Sequence, residues 1–96
     1  MKKLIILSAL IVSFVTDAQS WVAKADAPAG RHHPISFALN GKGYAITGTD
    51  STGQPTDDAF EYNPISDTWN VLSDFPGLAR SYGIGTVASG KGYLGF

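Results

Sequence analysis

An all-β fold made from a repeated four-stranded unit is what this sequence predicts, and three observations carry it. The same short blocks occur twice at a spacing of nearly fifty residues. Between them, apolar and polar residues alternate with the period of two that marks a half-buried strand. Glycine and turn-forming dipeptides punctuate those runs, and eleven glycines in 96 residues are more than a chain of this length ordinarily carries. Trp21 to Pro28 and Trp69 to Pro76 both read W-x4-D-x-P, 48 residues apart. Gly41-Lys42-Gly43-Tyr44 returns as Gly90-Lys91-Gly92-Tyr93, and Arg31 returns as Arg80, each at a spacing of 49. One inserted residue in the second copy reconciles the two spacings, and the period is that of a repeated supersecondary unit.

The chain opens on an address. Met1-Lys2-Lys3 is basic, Leu4 to Val15 is apolar except for Ser8 and Ser13, and the small residues Thr16, Ala18 and Ser20 follow. This is the three-part pattern of a secretory signal peptide, expected at residues 1–18, with cleavage after Ala18 or, nearly as well, after Ser20. The apolar run is shorter than the about 18–20 residues that cross a bilayer, so no membrane span is expected after cleavage. A secreted, periplasmic or cell-surface location follows. There are no cysteines, which removes disulfides, thiolate metal sites and a cysteine nucleophile from the protein's chemistry. An exported domain of this size without such staples points to stability drawn from a larger assembly or a longer chain. The net charge of −1 and the lack of a basic stripe argue against a nucleic-acid partner.

The strands of one period follow in order. Ile35, Phe37 and Leu39 alternate with Ser36 and Ala38. Asn40-Gly41 then signals a tight turn, because both residue types tolerate positive φ. Tyr44 to Thr47 is a second strand ending at Gly48. Asp50 to Thr56, rich in Ser, Gly, Gln and Pro, reads as a loop. Ala59 to Tyr62 is a third strand, with Phe60 and Tyr62 on one face and Glu61 on the other. Asn63-Pro64 begins a turn, and Thr68 to Leu72 is a fourth strand that carries Trp69 and Val71 on one face. Nothing after residue 19 has helical periodicity. A four-stranded sheet this short has two apolar faces, and each needs a neighbouring unit to cover it.

At these residues the sequence resembles the kelch-repeat β-propeller family. That family's blade carries a glycine pair after the second strand, then a Tyr, six residues and a Trp. Tyr62 and Trp69 have that spacing, Thr47-Gly48 stands where the pair is expected with only one glycine kept, and Arg31 and Arg80 match the family's Arg before the first strand. The resemblance covers roughly residues 20–96. It implies one blade at 29–76 and the start of a second at 77–96. Residues 20–28 are then an outer strand that closes the last blade. A ring takes about four to eight blades, so a fragment of a larger propeller is expected. Trp21, Gly48, Tyr62 and Trp69 are expected to be structural, the rings filling the gap between blades and Trp21 matching Trp69 in its surroundings.

Each candidate site residue also fits a blander role. Strand alternation brings the segment before the first strand and the loop between the second and third to one rim, so Arg31, His32 and Arg80 are candidate ligand-binding residues. An Arg there suits a carboxylate through paired donors. The competing role is an Arg that braces loop carbonyls between blades, repeated because the geometry repeats. His32-His33 suggests a metal, but neighbours on a strand face opposite ways and no third ligand is marked, so no metal and no cofactor are expected. Asp57-Asp58 matches no calcium loop and suits a turn-to-strand junction. Gly41-Lys42-Gly43 lacks the pattern of a phosphate-binding loop, and Lys42 reads as a solvent residue of a hairpin. No nucleophile elbow is present.

The function expected is therefore an exported module that binds a protein or a carbohydrate. The alternative implied by the resemblance is part of a carbohydrate-active propeller enzyme, such as a sialic-acid mutarotase or a galactose-oxidase-like protein. No catalytic constellation is visible in the sequence to choose the enzyme, and the oxidase would require a Cys.

Overall fold

The computed structural model describes residues 20–96, and the expected signal peptide lies outside them. The first two strands, β1 (Ile35–Leu39) and β2 (Lys42–Thr49), form the hairpin that Asn40-Gly41 announced. Both turn residues take positive φ, 51° and 74°, the geometry whose twist matches that of the flanking strands. The third strand, β3 (Pro55–Asn63), begins four residues earlier than the sequence pattern indicates, because Thr49 and Gly48 pair with Pro55 and Thr56. Pro55 is tolerated as the first residue of the strand. What remains of the loop, Ser51 to Gln54, is folded around Asp50, whose Oδ1 accepts from the Thr52 amide, the Thr52 hydroxyl and the Gln54 amide. Asn63 caps the next turn by accepting from the Ile65 amide at 2.9 Å, and β4 (Thr68–Val71) returns along β3. The sheet order is β1-β2-β3-β4, antiparallel throughout.

The second unit begins with β5 (Ile84–Ala88) and β6 (Lys91–Gly95), a separate two-stranded sheet. Its turn copies the first: Ser89 and Gly90 have φ of 50° and 72°. The copying extends upstream, since His33 and Tyr82, 49 residues apart, share the left-handed region at 54° and 61°. The repeat is therefore one of backbone conformation as well as of sequence.

Register assigns the faces. Ile35, Ile46 and Ala59 are cross-strand partners, as are Phe37, Tyr44 and Glu61, so they lie on one side of the first sheet. The β5–β6 hairpin packs on that side, and Ile35 is left only 1% exposed. The contact works because the facing positions of the second unit are glycines. A Cβ on Gly83 would stand 2.6 Å from Ile35 Cδ1, one on Gly85 2.5 Å from Ile35 Cγ2, and one on Gly92 2.6 Å from Phe37 Cζ. The glycine excess that suggested turns thus serves close sheet-to-sheet approach at three further places.

On this face Tyr44 donates to Glu61 at 2.9 Å and Lys42 reaches the same carboxylate at 3.3 Å. Lys42 is accordingly an ion-pair partner rather than a free solvent residue. The Tyr44 hydroxyl holds the Glu61 carboxyl below its ordinary pKa, and the same bond raises that of Tyr44.

The opposite face carries Phe60, Tyr62, Trp69 and Val71. Tyr62 and Trp69 are direct partners across β3 and β4 with ring centroids 5.0 Å apart, the expected aromatic pair. Such a pair adds about 0.5–1.5 kcal/mol beyond its area burial. The N-terminal stretch is tied to this edge. The Ala25 amide donates to Asp67 Oδ1 at 2.8 Å, and Trp69 Nε1 donates to the Ala25 carbonyl at 3.0 Å. Tyr62 also donates to Asp67, at 2.6 Å, and these bonds lower the pKa of the carboxyl, that from Tyr62 most. Residues 20–28 form no strand here. Trp21 is 97% exposed, so its surroundings differ from those of Trp69. The cause is that Trp69 has β3 beside it, whereas Trp21 lies outside any sheet.

Candidate functional site

The rim anticipated from strand alternation is present, and backbone hydrogen bonds build it. His32 and Thr49 exchange two such bonds, 3.0 and 2.9 Å, which pins the segment before β1 to the end of β2. Arg80 donates to the Thr56 carbonyl at 3.1 Å and accepts from the Gly48 amide at 2.8 Å, which pins the segment before β5 to the same end of the sheet. Gly48 has to be glycine: its φ is 111°, and a Cβ would lie 3.1 Å from the His32 carbonyl oxygen and from Pro34 Cα. The structure thus brings Arg31, His32, Arg80 and the Asp50 loop to one edge. A concavity of about 130 Å³ lined by Gly30, Arg31, His32, Thr49, Asp50 and Ser51 opens there.

The two arginines have different surroundings. Arg31 forms a two-pronged ion pair with Asp58, Nε to Oδ1 at 3.2 Å and Nη2 to Oδ2, and Nη1 donates to the Gly30 carbonyl at 2.7 Å. Its guanidinium lies 5.8 Å from the buried Phe60 ring. These donors are committed within the first unit, to a carboxylate of β3 and the neighbouring carbonyl, rather than to carbonyls between blades. Asp58 is explained by the same pair, while Asp57 faces the other way and uses its carbonyl to accept from the Phe75 amide. Arg80 is exposed, makes no ion pair among the described residues, and lays its guanidinium 5.3 Å from the Phe96 ring.

The histidine pair departs from the alternation argument. Because His33 is left-handed and outside any strand, its ring swings to the same side as that of His32, with the two Nδ1 atoms 2.7 Å apart. One Nδ1–H donates to the lone pair of the other. The His33 ring then stacks on Tyr82 at 4.0 Å with 26° between planes. No group of three metal-ligating side chains occurs among the described residues. The Asp50 carboxyl, closest of the acids to this concavity, is held below its ordinary pKa by the Thr52 and Gln54 bonds, so it faces the rim ionised.

Sequence reasoning missed Tyr82 and the Arg31–Asp58 pair. The 49-residue spacing between His33 and Tyr82 was the available signal for the first. For the second there was none, since the pair joins residues brought together only by the fold. What remains is an open rim carrying a planar cation, two imidazoles, a phenol and the Asp50 carboxylate. Such a surface offers donors and acceptors to a polar, hydroxylated ligand.

A short antiparallel blade with an aromatic pair on its outer strands, a one-glycine bulge after the second, and a like blade starting on its face defines a class: the fold is that of a kelch-type β-propeller blade. The Kelch motif family matches residues 36–76. In particular, the chain is similar to the N-acetylneuraminate epimerase of Pasteurella multocida (strain Pm70), with 35% identity over 79 residues that cover 77% of this chain and 21% of that protein. The solved structure of YjhT has a TM-score of 0.69 and 29% identity to it, over 78% of this chain and 23% of that one. The chain spans about a fifth of the length of these relatives.

Proposed function

We propose that this chain is part of an exported kelch propeller that acts on N-acetylneuraminate or a closely related acidic sugar as an epimerase. The observation that carries the reading is the 35% identity to N-acetylneuraminate epimerase over most of the chain. The rim is consistent with it: a sialic acid presents a carboxylate and a hydroxylated ring, and Arg80 and His32 offer donors to both. In this reading residues 20–28 serve as the outer strand of the closing blade, and the protein works in the periplasm, at the cell surface or outside the cell. No helix among the described residues is long and apolar enough to cross a membrane.

The test is proton NMR of N-acetylneuraminate with the complete protein that carries this chain. Interconversion of its epimers is expected to run faster than in buffer, in proportion to enzyme. An unchanged exchange rate at every enzyme concentration rejects the reading. A second reading, a carbohydrate-binding module without turnover, is favoured by one feature. The rim groups, Arg80 and His32 among them, offer donors suited to holding a hydroxylated ligand. Saturable binding of the sugar without accelerated exchange selects it.

A further inference from the structure

We infer that Asp67 and Trp69 form a clasp between neighbouring blades and that the W-x4-D-x-P block is what it grips, an inference that rests on the reading of residues 20–28 as the closing strand and not on the sugar. Asp67 Oδ1 accepts from the Ala25 amide at 2.8 Å, and Trp69 Nε1 donates to the Ala25 carbonyl at 3.0 Å. Both backbone groups of one residue are thus held by side chains 42 and 44 residues away in sequence. This is the exchange that a paired strand ordinarily supplies, delivered here by a carboxylate and an indole. The gripping atoms are set in place by the blade itself. Tyr62 donates to the same Asp67 oxygen at 2.6 Å, and its ring lies 5.0 Å from that of Trp69, its cross-strand partner on β4. Asp67 is left-handed, at φ 52°, a region that Asp enters more readily than most residues.

The repeat says what the clasp joins. Ala25 is the fifth residue of the first W-x4-D-x-P block, and Ser73 holds that place in the second, 48 residues on. The first block is gripped by the unit that follows it in the chain. By the same rule the Ser73 amide and carbonyl enter the clasp of the unit after β4, because in a stacked repeat each unit meets its neighbours in the same way. The faces agree with this. Tyr62 and Trp69 lie on one side of the first sheet, and the β5–β6 hairpin packs on the other, so a following clasp approaches Ser73 from the opposite side. Each block therefore bridges from its own blade to the next, and residues 20–28, held by the first blade, bridge to it from the blade that closes the ring. The continuation of the chain should carry an Asp or Asn and a Trp two residues apart, 49 places beyond Asp67 and Trp69.

The experiment uses the complete protein carrying this chain. Amide hydrogen exchange is read residue by residue in wild type, Asp67→Gly, Asp67→Asn and Trp69→Phe. Glycine removes the acceptor and suits the left-handed backbone, asparagine keeps an acceptor, and phenylalanine keeps a ring without its N–H. The Ala25 amide should exchange about ten- to hundredfold faster in Asp67→Gly, the worth of a hydrogen bond to a charged group, and near the wild-type rate in Asp67→Asn. Trp69→Phe should speed it by about five- to tenfold, the worth of a neutral one. Amides of β1 and β2 should keep their protection, which separates an opened clasp from an unfolded blade. Should Asp67→Gly unfold the blade, Trp69→Phe decides alone. Wild-type exchange at Ala25 in the folded variants overturns the inference, as does a continuation without the second Asp or Asn and Trp. If Ala25 is indifferent to both substitutions while residues 21–24 stay protected, the closing-strand reading survives and the clasp does not. If residues 21–25 exchange freely in the wild type, both fall.

Discussion

At position 47 a β-branched side chain sits where the backbone turns left-handed, with φ 61°, inside the irregular pairing between Ile46 and Gly48. The residue is 1% exposed and its Oγ1 has no hydrogen-bond partner among the described residues. The kelch resemblance implies a glycine pair at this point, and the geometry gives the reason. A left-handed L-residue costs roughly 1–2 kcal/mol, and an orphaned buried hydroxyl about 1–3 kcal/mol. Against these stand the burial of two carbons, Cβ and the methyl, about 1.6 kcal/mol, and the extra chain entropy of glycine, about 0.5–1 kcal/mol. Thr47→Gly should therefore stabilise the protein by about 1 kcal/mol, read as a higher urea midpoint at unchanged slope. A lower midpoint would mean that Oγ1 has a partner such as a buried water. The same scale explains what the sequence could and could not disclose. Asn40-Gly41 announced its turn because those residues prefer positive φ on their own account. His33, Thr47 and Tyr82 take the same region against their preference, under tertiary constraint, so no local signal marks them. The candidate rim was legible through alternation, but which arginine is committed to the fold depended on Asp58, a partner 27 residues away in sequence.

Among the elements, the contact between β1 and the β5–β6 hairpin depends most on single atoms. Gly85 faces Ile35 Cγ2, the branch methyl of a buried side chain that has no space to yield. Gly85→Ala should cost about 1–3 kcal/mol, the usual range for overpacking, and Gly85→Val more. Gly95 in the partner strand is the matched control: a Cβ there would meet Ile84 Cγ1 at 3.5 Å, an ordinary contact, so Gly95→Ala should change stability by less than about 0.5 kcal/mol. Thermal unfolding of the two variants side by side checks the contrast, and equal melting temperatures would remove the close-packing account. Strand existence was legible in the alternating residues. The start of β3 was not, because Asp57-Asp58 and Pro55 discourage a strand locally and are recruited by pairing with β2 and by the Arg31 ion pair. The same limit applies to Trp21: its motif repeats that of Trp69, yet a ring needs sheet neighbours, and the motif alone does not supply them.

For the molecule as a whole, the unequal covering of equivalent faces is the governing fact. Ile35 and Ile84 stand 49 residues apart at the start of β1 and β5, yet one is 1% and the other 76% exposed. Tyr93, in the position that Tyr44 holds on the first unit, is also exposed. Covering one such isoleucine contributes roughly 1.5–3 kcal/mol, so an open face of this type favours any partner surface of small residues. The chain carries one on its β1–β2 half, since Ser36, Ala38, Gly43 and Ala45 lie on the side of the first sheet away from the second hairpin, beside the larger Phe60 and Tyr62 of β3. Residues 20–96 produced alone should therefore self-associate head to tail, and Ile84→Lys with Tyr93→Lys should return them to monomers. Sedimentation velocity over a range of concentrations reads both results. In the complete protein the same double substitution should instead lower the melting temperature, because a neighbouring blade would lose its contact there. If residues 20–96 sediment as monomers at every concentration, the exposed face does not drive association, and covering by a further blade loses its energetic argument.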